Sequence, residues 1–195
     1  MTESNFPEPP DDYRLLVPRD WFRIDLTAAG WRPQLKKFVE QQAARQPMSA
    51  EARRELWVTL RNTAESGVAR GSLELFLRTQ SAGAAAPATL LISLLPMRGA
   101  LSAPPEEFAE SLVARRGDSA VATVTRLPAG STVRITTGTA LDFYVEMPGA
   151  VGYLLLAFTI PLTGAESPLG ELCEAIATSL RWVSNGEVLQ PGHDQ

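Results

Sequence analysis

The stretch AVATVTRLPAGSTVRITTGTALDFYVEMPGAVGYLLLAFTI, residues 120–160, followed by SPLGELCEAIATSLRW, residues 167–182, decides the fold. It reads as four strands and one helix. Ala120 to Arg126, Thr132 to Thr137, Leu141 to Met147 and Tyr153 to Ile160 are rich in β-branched and aromatic residues, as strands are. The turns carry Pro128-Ala129-Gly130, Gly138 and Pro148-Gly149, with glycine able to supply a positive φ. Ser167 is placed to cap the closing helix, and Pro168 suits its first position. Leu169, Leu172, Cys173, Ile176, Ala177 and Leu180 recur at helical spacing, so this helix is expected to run to Arg181-Trp182 with one apolar face.

The register of the middle hairpin follows from which residues want burial. Val133 and Ile135 fall opposite Val145 and Phe143 if Gly138-Thr139-Ala140 form a three-residue loop. A two-residue loop would set Ile135 beside Asp142 and mix apolar with polar residues on each face. A one-residue slip flips every side chain, so the three-residue loop is expected. The other face then carries Thr132, Arg134, Thr136, Asp142, Tyr144 and Glu146, extended by Thr123 and Thr125. It is a candidate recognition surface.

Upstream of this block the pattern is mixed. Residues 1–12 are proline-rich and acidic and are expected to be disordered, with an ordered single domain over 13–184 and a flexible polar tail at 185–195. Arg14 to Val17 and Trp21 to Leu26 are short extended segments broken at Pro18. Pro33 to Gln46 is a helix with Leu35, Phe38, Val39 and Ala43 on one stripe. Ser49 caps a second helix that buries Leu56, Trp57, Leu60 and Ala64 and is expected to stop at Gly67. Ala69 to Thr79 and Thr89 to Leu95 are strands of a hairpin joined by a small-residue loop from Ser81 to Pro87. Ser102 or Ala103 precedes a third helix with Pro104, Pro105, Glu106 and Glu107 in its first turn, Phe108, Leu112 and Val113 inward, and Gly117 after Arg115 and Arg116.

Composition excludes several functions. The chain has 195 residues, 45% hydrophobic and 21% charged, with a net charge of −4. General nucleic-acid binding depends on clustered cations, so no nucleic-acid partner is expected. The apolar run Leu154 to Phe158 is far too short to span a bilayer, so no membrane insertion is expected. No secretory leader is read in the first residues. His193, the one histidine, stands near the end, so no histidine-based triad is expected. Cys173, the one cysteine, lies on the apolar stripe of the closing helix and reads as inert core. Glu106, Glu107 and Glu110 open a helix, where acids favour the dipole, and are not read as metal ligands. Asp142 and Glu146 lie roughly 13 Å apart along one strand, too wide for the usual hydrolytic carboxylate pair. No phosphate-binding loop is present. No catalytic residue, metal or cofactor is therefore expected.

Two other features bear on binding. Arg32, Lys36, Lys37 and Arg45 give the first helix a cationic outer face suited to an acidic partner. Of the four tryptophans, Trp31, just before a helix proline, is expected to be the accessible one, and Trp57 to be core.

The succession Leu127-Pro128-Ala129-Gly130, Val133-Arg134, Phe143-Tyr144-Val145, Pro148-Gly149, Leu154 to Thr159 and Ile176 to Trp182, preceded by Leu16-Val17-Pro18-Arg19-Asp20-Trp21, resembles the Mog1/PsbP-like fold. More narrowly, it is similar to uncharacterised actinobacterial proteins of that type. The resemblance implies an α/β (α+β) architecture: an antiparallel sheet of about six strands sandwiched by helices. It also implies a non-enzymatic, cytoplasmic protein, in a family whose members bind a small GTPase or assist an oxygen-evolving complex. Some relatives accompany specialised secretion genes.

The expected function is that of a protein-binding or assembly factor without catalysis, with a secretion or other multiprotein system as the setting that the resemblance implies. Arg134, Asp142, Tyr144 and Glu146 on the sheet, with Trp31, Lys36 and Lys37, are the expected contacts. The alternative is a carrier of a small apolar ligand held between sheet and helices.

Overall fold

A computed structural model describes residues 9–79, 87–96, 103–117 and 119–184. The expectations for residues 1–8, for the loop over 81–86 and for the tail over 185–195 with His193 lie outside the described residues.

The ordered elements are β1 (Asp12–Arg14), β2 (Trp21–Asp25), α1 (Trp31–Arg45), α2 (Ala50–Ala69), β3 (Ser72–Arg78), β4 (Thr89–Pro96), α3 (Pro105–Arg116), β5 (Val121–Leu127), β6 (Gly130–Thr136), β7 (Ala140–Glu146), β8 (Gly152–Thr159), α4 (Pro168–Thr178) and β9 (Arg181–Val183). Seven strands form one antiparallel sheet in the order β2-β3-β4-β8-β7-β6-β5. This is one strand more than expected. The chain meanders through β2, β3 and β4, crosses by α3 to the far edge, and meanders back through β5, β6 and β7 to β8 beside β4.

Both faces of the sheet are covered. On one face Ile92, Leu141, Phe143, Val145, Leu154, Leu156 and Phe158 meet Cys173, Ile176 and Ala177 of α4 and Leu180 just after it. On the other, α1 and α2 seal the β2–β3 end around Leu35, Phe38, Leu60, Leu75 and Leu77. Beyond them, α3 lays Phe108 and Leu112 on Val133, Ile135, Tyr144 and Tyr153. The α/β class of sheet plus helices is therefore present, with the central strands β4, β7 and β8 apolar on both sides as doubly covered sheets require.

Two-sided burial corrects the register. Val133 pairs with Tyr144, Arg134 with Phe143 and Ile135 with Asp142, which is the two-residue loop over Gly138-Thr139. Thr137 N–H donates to the Ala140 carbonyl at 2.9 Å, and Ala140 N–H to Thr137 Oγ1 at 3.1 Å, closing this tight turn. The expected pairing treated one face as wet. With helices on both faces, apolar residues belong on each side, so apolar alternation no longer selects a register.

Two helix ends also differ from expectation. Gly67 lies inside α2, against Leu91, Leu26 and Ser72, and the chain turns at Gly71, whose φ is +76°. The closing helix stops at Thr178, and Arg181 to Val183 leave it as β9. There Tyr13 of β1 pairs with Trp182, forming a two-stranded ribbon. Trp182 Nε1–H donates to the Ala129 carbonyl at 2.6 Å, which anchors the ribbon to the β5–β6 turn.

Candidate functional site

The expected sheet surface does not exist as one face. Arg134 points to the α4 side, where its guanidinium pairs with Glu174. Asp142, Tyr144 and Glu146 lie on the α3 side, because opposed residues share a face and Asp142 opposes Ile135. Asp142 and Tyr144 are only 4% and 5% exposed. Arg116, at the end of α3, pairs with Asp142 and donates to the Tyr144 hydroxyl at 3.3 Å. These residues hold α3 on the sheet. Trp31 is buried too, 5% exposed, with the Arg32 guanidinium 4.5 Å above its ring. Lys36 and Lys37 are exposed on α1.

The two members of the Arg116–Asp142 pair differ in what they have lost. The Arg116 side chain is about a third exposed, keeps part of its water, and is held more firmly charged by Asp142. Asp142 has lost its water, and this burial pushes its carboxyl above the usual range despite Arg116 beside it. The buried carboxylate decides the sign. A raised folded-state pKa gives stability that is full below the ordinary Asp range and is lost as pH rises through the folded value. Asp142→Asn leaves Arg116 with the water it keeps, and is therefore expected to match wild type in acid and to exceed it at neutral pH. Urea unfolding across a pH series measures this; a variant less stable at neutral pH overturns it.

Open clefts separate the remaining candidates. One, of about 650 Å³, lies beside β1 and is lined by Tyr13, Arg14, Leu16, Arg23, Asp25 and Glu74. Its central charges are spent on one another. Glu74 accepts from the Tyr13 hydroxyl at 2.7 Å and from Arg23, and Asp25 accepts from Thr27. This network fastens β1 to the sheet.

The groove between α1 and α2 is different. It has about 480 Å³ and is lined by Lys36, Val39, Glu40, Ala50, Arg53, Arg54 and Trp57. Its shape follows from two antiparallel helices. Val39 is buried at its floor, while Leu56 and Leu60 take the inward stripe of α2 and leave Trp57 one position outside it, half-buried. Ser49 caps α2, its Oγ accepting from Ala52 N–H at 3.0 Å. Lys36 and Glu40 make an exposed pair at 3.8 Å. Arg53 and Arg54 have no ion-pair partner among the described residues. They stand near the positive end of α2, where cations oppose the helix dipole. Helix stability does not account for them.

The groove thus joins an indole with unpaired guanidinium groups, the residue types that dominate binding hot spots. Of the expected contacts it contains Lys36. Sequence reading missed Arg53, Arg54 and Trp57. A cationic pair in the first turns after a helix cap was the available signal, and Trp57, read as core, packs against that core but stays half-buried because its neighbour Leu56 carries the buried stripe. Cys173 is fully buried, and burial pushes its thiol up to about 12, leaving it protonated. No candidate membrane-spanning helix and no cluster of metal-ligating side chains occurs among the described residues. No family model, curated protein or solved structure matches the chain.

Proposed function

We propose that this protein is a non-catalytic binding or assembly factor that receives an acidic segment of a partner protein in the α1–α2 groove. The observation that carries this reading is the pair Arg53 and Arg54, without an ion-pair partner among the described residues, beside Trp57 and Lys36. A partner carboxylate gains a forked, charge-assisted hydrogen bond from guanidinium, and an apolar partner side chain packs on the indole. The Mog1/PsbP-like assignment belongs to the same proposal. Its support is the antiparallel sheet with helices on both faces, and an assembly role in a multiprotein system follows from that resemblance.

Affinity purification on the immobilised full chain from the native host supplies the partner. Arg53→Glu/Arg54→Glu is expected to weaken the recovered partner at least tenfold, or about 1.4 kcal/mol. The thermal midpoint should stay close to wild type, since both side chains are exposed. The wild-type affinity should also fall with added salt, as screening requires. Unchanged affinity in the double variant overturns the reading.

A further inference from the structure

The two edges of the sheet are finished differently. At β2 two of the three outward donors are used: Trp21 N–H donates to the Pro18 carbonyl at 3.0 Å, and Asp25 N–H to Gln34 Oε1 of α1 at 3.3 Å. At β5 nothing among the described residues pairs with the outer side. The strand runs in unbroken register along β6, without proline and with Arg126 as its single charge. Val121 is 63% exposed and Val124 38%. Edges are normally blunted by bulges, prolines, charges or shortness, and of these β5 has only Arg126.

The backbone groups left open can be identified. The two-residue turn Pro128-Ala129 closes on Leu127 and Gly130, and such a turn closes on a hydrogen-bonded pair. Alternation then makes Thr125–Thr132, Thr123–Arg134 and Val121–Thr136 the other hydrogen-bonded pairs. The N–H and C=O groups of Ala122, Val124 and Arg126 therefore face outward.

We propose that the outer edge of β5 pairs with β5 of a second copy of this chain, antiparallel, about a two-fold axis at Val124. The strand is self-complementary in that register. Val124 meets Val124, Ala122 meets Arg126, Thr123 meets Thr125 and Val121 meets Leu127. All outward groups oppose outward groups, giving roughly six interchain N–H···O=C bonds. An axis midway between two residues sets outward groups against inward ones, an axis at Thr123 or Thr125 leaves two outward pairs opposed instead of three, and an axis at Arg126 sets two guanidinium groups face to face. Two-fold pairing is the commonest closed arrangement of like chains, and it leaves no open edge at β5. The α1–α2 groove packs at the β2–β3 end, so both grooves stay free. A strand pair alone is smaller than the ~1,200 Å² typical of stable complexes, so the dimer is concentration-dependent.

Sedimentation velocity of the full chain over a concentration series, with amide exchange by NMR at each end of it, tests the assignment. The expected result is a monomer–dimer equilibrium in which the Ala122, Val124 and Arg126 amides slow at least tenfold at high concentration. Thr123 and Thr125, already bonded to β6, should not change. Val124→Pro removes only an outward N–H and should abolish the dimer. Val124→Lys, which preserves the backbone donor but places two ammonium groups at the axis, should weaken it at least tenfold at low salt. A chain that stays monomeric throughout, a dimer whose three outward amides exchange at the monomer rate, or folded variants that dimerise like wild type overturns the proposal.

Discussion

Phe158→Ala is expected to lower the free energy of unfolding by about 3–5 kcal/mol. Phe158 is fully buried on β8, the strand between β4 and β7 in mid-sheet. Its ring meets Phe143 edge-on at 6.0 Å and Trp21 edge-on at 6.5 Å, beneath α4. Each such aromatic pair adds about 0.5–1.5 kcal/mol beyond the area buried. Removing the ring leaves a cavity walled by strands on both sides, which cannot collapse to fill it. The thermal midpoint should fall by about 2–4 °C for each kcal/mol in a chain of this size. Phe158→Leu should recover much of the loss. Urea denaturation of both variants, read at constant slope, is the check; a loss below about 1 kcal/mol for Phe158→Ala means that this part of the core repacks.

Gly170→Ala opposes two rules. Within a helix, alanine is favoured over glycine by about 1 kcal/mol, which alone predicts a more stable protein. In place, however, a Cβ on Gly170 would stand 1.8 Å from the Ala165 carbonyl oxygen and 2.7 Å from its carbon. The obstacle is backbone, and that backbone is fixed, because Ala165 N–H donates to the Gly138 carbonyl at 3.1 Å. The first turn of α4 would have to lift from the loop that precedes it, straining the Ser167 cap, whose Oγ accepts from Gly170 N–H at 3.2 Å. The expected outcome is a net loss of roughly 1–3 kcal/mol. Gly67→Ala is the contrast: its nearest neighbour is Leu91 Cδ1 at 3.0 Å, the end of a flexible side chain. If Gly170→Ala unfolds at or above the wild-type midpoint, the close approach described here is wrong.

Much of the architecture was legible in the sequence because turn chemistry and helical spacing are local signals. Pro128-Ala129, Pro148-Gly149 and Ser167-Pro168 mark boundaries that the structure places within a few residues. The helix opened by Pro105 and the β3–β4 hairpin were readable for the same reason. What failed was any inference that depended on what covers a strand. The Ile135–Asp142 pairing looks improbable until α3 supplies Arg116 to the carboxylate. The polar face built on the wrong register dissolved with it, sending Arg134 to one side of the sheet and Tyr144 to the other. Trp31 is core because α1 starts before Pro33, which turns it inward, while Trp57 packs half-buried against the same core. The ribbon of β1 and β9 was unreadable because its strands are three residues long and lie at opposite ends of the sequence.

That ribbon sets how the protein responds to tension. Asp12 opposes Val183, and Arg14 opposes Arg181, so the chain enters and leaves at the same end of an antiparallel pair. Pulling the two ends apart loads the cross-strand bonds one pair at a time, starting at Asp12–Val183, instead of all together in shear. The ribbon therefore opens like a zip under weak force. The load then passes to the Tyr13–Glu74 and Trp182–Ala129 anchors before any strand of the seven-stranded sheet is disturbed.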